Sequence, residues 1–259
     1  MAEPLSETPS ARAARYRRDV PGLVAASAGE ASWPDLVRVS GPQAGARAAA
    51  LEIVAALSPR GGRLAVPGGR TAAAVFEALA GPAPGARIDW PRVEVSFVDE
   101  RAVPAGDPES NYALARRWLV DALGAPESSL RRLRADAPDL EAAARGYERV
   151  LERPLDLVLL GIGEDGHFAS LFPGSPLLAE RARRVAVVRD SPKPPPVRLT
   201  ITPRVLAEAR RVLVLAMGRA KTALLERVFA ASAPGPWLPA GALRDAVWIA
   251  DAEEAAPRA

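Results

Sequence analysis

One imidazole is available to this 259-residue chain, His167, and it ends the segment Gly161-Ile162-Gly163-Glu164-Asp165-Gly166-His167 after the apolar run 155–160. An imidazole titrates near neutrality, and a carboxylate two residues away can hold its tautomer and keep it available as a base. The competing reading makes the histidine a structural hydrogen-bonder and Asp165 the closer of an Asx turn. Pro67-Gly68-Gly69-Arg70-Thr71 opens a helix after another apolar run. Its glycines admit a ligand close to the backbone, its free amides favour an anion, and Arg70 and Thr71 can donate to phosphate oxygens. A plain turn capped by Thr71 carries equal weight. Asp99-Glu100-Arg101 sets two carboxylates beside a guanidinium, suited either to a sugar hydroxyl or phosphate or to a structural ion-pair cluster. Asp190-Ser191-Pro192-Lys193 follows a further apolar run, and Lys221 follows Gly218. Lys221 can point at a phosphate or simply into water.

These groups need a scaffold, and the hydropathy pattern supplies one. Short apolar runs at 64–66, 93–98, 155–160, 184–188, 211–217 and 246–250 read as buried strands. Helical stretches at 43–57, 71–80, 111–123, 140–151 and 221–231 lie between many of them. Continuous apolar strands alternating with helices predict an α/β fold with a mostly parallel sheet covered on both faces. Ligands of such sheets bind beyond the carboxyl ends of the strands, where all five polar groups then crowd together. Residues 1–18 read as a loose arm and 19–259 as a single α/β domain.

Composition narrows the chemistry. With no cysteine there is no disulfide, thiol nucleophile or cysteine metal site, and one histidine excludes an HExxH site. The 34 basic and 31 acidic residues are interspersed and give a net charge of +3, so no nucleic-acid footprint is indicated. No apolar run is long enough to span a bilayer, and residues 1–10 lack a signal-peptide pattern, which predicts a cytoplasmic protein. GIGEDG fits GxGxxG, but it sits late in the chain and leads to Pro173, which argues against a dinucleotide site.

Taken together, the segments LAVPGGRTAAAVFEAL, VSFVDERAVPAGDPESNYALARRWL, LDLVLLGIGEDGHFASLFPGSP, SPKPPPVRLTIT and LAMGRAKTALL, with the tail LPAGALRDAVWIADAEEA, resemble the 6-phosphogluconolactonase family from Gln43 to Ala255. The resemblance implies a doubly wound, Rossmann-like sheet similar to the glucosamine-6-phosphate deaminase fold. It implies a metal-free, cofactor-free carboxylic ester hydrolase that opens 6-phospho-D-glucono-1,5-lactone in the oxidative pentose phosphate pathway. His167 would be the general base, oriented by Asp165. Gly68, Gly69, Arg70, Thr71, Asp99, Glu100, Arg101, Gly163, Arg198 and Lys221 would bind substrate, with Arg70, Arg198 and Lys221 on the phosphate side. Ser110 and Asn111 match the family's Ser-Asn pair. Phe168 and Ala72 depart from residues the family often carries, threonine and proline. In the related glucosamine-6-phosphate deaminases a glutamate that assists the histidine stands where this chain has Phe172, and a phenyl group moves no protons. A sugar-phosphate-sensing domain without catalysis is the other alternative, which the short N-terminal arm, lacking a helix-turn-helix pattern, disfavours. The expected partner is a small phosphosugar lactone, with no nucleic acid or membrane, for a monomer or small homo-oligomer.

Overall fold

A computed structural model describes residues 23–24, 35–81, 88–230, 238–243 and 245–251. The arm expected over 1–18 lies outside the described residues. The described residues form ten strands: β1 (Leu23–Val24), β2 (Leu36–Val39), β3 (Gly62–Val66), β4 (Val93–Phe97), β5 (Asp99–Arg101), β6 (Leu157–Gly161), β7 (Val185–Val188), β8 (Arg198–Ile201), β9 (Val212–Ala216) and β10 (Val247–Asp251). Six α-helices among the described residues accompany them: α1 (Gly41–Leu57), α2 (Gly69–Ala80), α3 (Asn111–Ala115, continued as a π-helical stretch over Arg116–Ala122), α4 (Leu140–Val150), α5 (Pro203–Glu208) and α6 (Arg219–Ala230).

Seven strands make one sheet in the order β1-β2-β10-β9-β6-β3-β4, parallel throughout except for the β1–β2 pair. The physical cause is visible in β6, where residues 157–160 are all without solvent exposure. Such a strand has no polar face to turn to water, so helices must cover both sides of the sheet. Each fully buried leucine contributes about 1.5–3 kcal/mol relative to an exposed one. α1 meets the same demand with small side chains: Ala44, Ala46, Ala48, Ala49 and Ala50 are buried, so its backbone lies close to α2 and β10. No helix among the described residues is long and apolar enough to cross a membrane.

The remaining three strands correct an expectation. Residues 184–188 were expected among the parallel strands, but β7 belongs to a second, antiparallel sheet of order β5-β8-β7. An apolar run of four or five residues is the same pattern in either setting, and only its partner decides its direction. β2, β5 and β8 are strands that the hydropathy pattern did not mark. The two sheets meet at Val98, whose N–H donates to the Val66 carbonyl while its own carbonyl accepts from the Ile201 N–H. That junction lies at the carboxyl edge of the large sheet. Behind it, the Tyr147 hydroxyl of α4 accepts the Phe97 N–H at 2.7 Å, satisfying the last residue of β4.

Candidate functional site

The loop leaving β6 is built around its glycines. The Gly163 N–H donates to the His167 carbonyl, the Gly166 N–H to the Gly163 carbonyl, and the Gly166 carbonyl accepts from the Ala240 N–H. Gly166 has φ +84°, a left-handed conformation that glycine adopts without strain. A Cβ on Gly163 would overlap Nδ1 and Cε1 of His167, so glycine is what leaves room for the ring. The imidazole is fixed twice. Its Nδ1 lies 2.5 Å from Asp165 Oδ1, and its face stacks on Phe172 with ring centroids 4.5 Å apart. A carboxylate at Nδ1 holds the proton there, which leaves Nε2 as the free lone pair. Burial pushes the imidazole below its ordinary value of 6.5, and Lys193 adds to this against the opposing pull of Asp165 and Asp99. The ring is therefore neutral, and able to accept a proton, at neutral pH.

Cations collect on one side of this loop. Lys221 stands at the start of α6, whose entry is turned by Gly218 at φ +102°. Burial pushes its ammonium down, and the nearby charges of Arg70 and Lys193 push the same way, against Glu164 and Asp251. Three cations thus share one region with the two carboxylates of Glu164 and Asp251, and an anionic ligand would relieve the repulsion among the cations. Lys193 was placed among the polar groups by its sequence but not in the site. The second sheet, whose strands β7 and β8 flank the Lys193 loop, brings the Lys193 charge to bear on both His167 and Lys221. Asp251, at the end of β10, was also missed. Its carboxylate accepts the Gly218 N–H and so anchors the turn that presents Lys221. One oxygen of Asp251 is buried without a protein partner.

Arg70 lies exposed in the first turn of α2, and a Cβ at Gly69 would meet nothing, so the helix entrance is open. Gly68 is closed instead: a Cβ there would overlap Asn111 Oδ1. That Asn111 oxygen is buried with no protein donor. The helix starts two residues before Thr71, with Gly68 at the N-cap, so Thr71 is not the cap. Its side chain lies instead against Gly161, where a Cβ would come within 3.3 Å of the Thr71 hydroxyl.

The Asp99-Glu100-Arg101 segment divides its labour because side chains alternate along a strand. Asp99 faces the site through Ser170, whose hydroxyl donates to Asp99 Oδ2 at 2.7 Å, while Oδ1 accepts from Asn111 Nδ2 at 3.0 Å. Glu100, expected among the substrate ligands, is engaged within the protein as an anchor. Its buried carboxylate accepts the N–H groups of Arg101, Asn111 and Tyr112 at 2.8 Å each and the Ser110 hydroxyl at 3.1 Å. All four acceptor positions are occupied, and burial raises its carboxyl above the ordinary value of 4.5 against those hydrogen bonds. Arg101 turns to the Glu109 carbonyl. Arg198 is buried, with Nε and both Nη groups directed at protein oxygens.

Two cavities open at the opposite edge of the large sheet, where β3, β9 and β10 begin. They measure about 650 and 520 Å³, and their arginines are engaged in pairs such as Arg210 with Asp156 and Arg63 with Glu94. Neither contains an acid–base pair comparable to Asp165 and His167.

Residues 42–249 match the family described as glucosamine-6-phosphate isomerases/6-phosphogluconolactonase. The chain is 44% identical over 159 residues to a human 6-phosphogluconolactonase, covering 58% of this chain and 59% of the human one. It thus spans about three fifths of that relative's length. It is 36% identical over 220 residues to 6-phosphogluconolactonase of Mycobacterium bovis, covering 79% of this chain and 88% of that one. The solved structure of 6-phosphogluconolactonase from Trypanosoma brucei superposes with a TM-score of 0.74 at 27% identity, over 85% of this chain and 97% of that one. With the histidine loop, the glycine turn and the cationic side all inside the matched region, the chain belongs to the glucosamine-6-phosphate isomerase/6-phosphogluconolactonase family.

Proposed function

We propose that this protein hydrolyses 6-phospho-D-glucono-1,5-lactone to 6-phosphogluconate, as a cytoplasmic enzyme of the oxidative pentose phosphate pathway acting as a monomer or small homo-oligomer. The observation that carries the reading is the neutral, carboxylate-held His167, with Nε2 free, beside the Arg70, Lys193 and Lys221 cations. In this mechanism Nε2 takes a proton from water as the water oxygen bonds to C1 of the lactone. Asp165 stabilises the imidazolium that results. The C1–ring oxygen bond then breaks, the ring oxygen takes the proton back from Nε2, and the new carboxylic acid ionises to solvent. Lys193, Lys221 and Arg70 hold the phosphate far from the reacting carbon, so binding energy there orients the lactone. Asp99 is the carboxylate assigned to a sugar hydroxyl.

Aldose–ketose isomerisation or deamination is disfavoured because the ring stacked on the imidazole is the phenyl of Phe172, where that chemistry calls for a second proton carrier. A pure sensor would bind without turnover. The test is a coupled assay on freshly made lactone, with the spontaneous rate subtracted. His167→Ala is expected to keep 6-phosphogluconate binding while losing roughly 10²–10⁴-fold in kcat. Near-normal turnover by that variant would remove the base assignment, and ligand binding without turnover by the wild type would favour the sensor.

A further inference from the structure

Four of the five residues from 192 to 196 are proline, so this stretch, which carries Lys193, has a single backbone N–H. It cannot enter a sheet ladder, and its carbonyls need donors from elsewhere. Ser191 closes the base of the loop: its N–H donates to the Pro196 carbonyl, and its hydroxyl accepts the Lys193 N–H and donates to the Lys193 carbonyl. The rest of the demand falls on Arg198. Its Nε donates to the Pro195 carbonyl at 3.0 Å, and its Nη2 to the carbonyls of Lys193 at 2.8 Å and Pro194 at 3.1 Å. Its Nη1 reaches the Ser170 hydroxyl at 3.4 Å and lies 4.0 Å from the Asp99 carboxylate. Only a guanidinium presents enough N–H groups, in a fixed plane, to grip three consecutive carbonyls at once. A side chain so engaged, and only 5% exposed, has little left to offer a ligand.

We propose that Arg198 is a positioning residue: its guanidinium clasps the carbonyls of residues 193–195 and so sets where the Lys193 ammonium stands, and Lys193, not Arg198, meets the substrate anion. The clasp is tied to the rest of the site through Ser170 and Asp99, so β8, the proline loop and the loop after His167 are joined by one hydrogen-bond network. The inference rests on the proposed lactonase reading for its ligand, and it is tested by binding of 6-phosphogluconate to the full chain as well as by turnover.

The experiment is a double-mutant cycle of Arg198→Met and Lys193→Met, with Arg198→Lys alongside, read by calorimetric binding of 6-phosphogluconate and by KM and kcat. Each single Met variant is expected to weaken binding by about tenfold, with the double variant within about threefold of Lys193→Met alone, because one acts through the other. Arg198→Lys keeps the charge but loses the planar fork, and is expected to bind as weakly as Arg198→Met, with KM raised more than kcat is lowered. An additive cycle, or an Arg198→Lys variant that binds like the wild type, would show a direct contact with the anion and overturn the proposal. Should the Arg198 variants fail to fold, nitrogen NMR of the wild-type Arg198 Nε–H decides. A slowly exchanging signal that stays in place at saturating 6-phosphogluconate supports the clasp, and a large displacement refutes it. Absence of lactone turnover with a non-additive binding cycle would sink the lactonase reading and leave the clasp standing.

Discussion

His167 owes its pose to a glycine four residues upstream. Because a Cβ on Gly163 would overlap the imidazole, Gly163→Ala is expected to displace the ring and cost at least about tenfold in kcat, in line with the sensitivity of catalysis to misplacement on the ångström scale. The measurement is steady-state kinetics together with a melting curve that stays close to wild type. The same residue sets a pH dependence. Burial lowers the imidazole below 6.5, so the base stays neutral as pH falls through 6.5 and protonates only at lower pH. The rate is therefore expected to rise with pH through a midpoint below 6.5 and to be flat above it. Asp165 is what holds that midpoint up, so Asp165→Asn should move the limb to still lower pH while lowering kcat. A pH–rate profile corrected for spontaneous hydrolysis checks both directions, and a limb shifted upward in the variant would contradict the assignment.

At the scale of elements, the three-residue strand β5 does the sorting. It pairs antiparallel with β8 in the register Asp99 with Thr200, Glu100 with Leu199 and Arg101 with Arg198. One side chain then reaches the Ser170 network while its neighbour turns to the start of α3. Glu100 ties down that helix by accepting two of its first N–H groups and the Ser110 cap. Glu100→Gln keeps the size but replaces one acceptor oxygen with a donor, and is expected to cost about 2 kcal/mol. For a chain of this size that is a melting temperature lower by about 4–8 °C, measured by calorimetry. The burial that raises this carboxyl works against its charged form, so its contribution to stability is greatest below 4.5 and falls as pH rises through its folded value. The variant should flatten that part of the stability–pH curve.

Across the whole molecule, charge is nearly balanced at +3, yet Arg70, Lys193 and Lys221 come from three separate stretches of chain to one side of the site. Attraction for a phosphorylated ligand is thus local. Raising the ionic strength from about 0.05 to about 0.5 M should raise KM for the phosphorylated lactone several-fold and leave kcat nearly unchanged, since salt screens partly exposed charges. An unphosphorylated lactone is the control and should show no such dependence. The two-sheet arrangement also explains why the site forms where it does. The large sheet delivers the histidine loop and the glycine turn, and the small one carries Asp99, Arg198 and the Lys193 loop across its edge.

The sequence alone determined the parallel α/β core, because apolar runs such as 157–160 have no polar face and allow only a strand buried on both sides. It also determined the candidate base, since the chain holds one imidazole and a glycine-rich turn sets it two residues from a carboxylate. Periodicity marked β7 as a strand but not the sheet it joins: a strand of three or four residues is defined by its partner, and β5 meets β8 from about a hundred residues away. For the same reason only the tertiary structure separated Asp99 from Glu100 and gave Arg198 to the proline loop. A charged side chain has many possible partners along a sequence, and which of them it meets is decided by the contacts that folding brings within hydrogen-bonding distance.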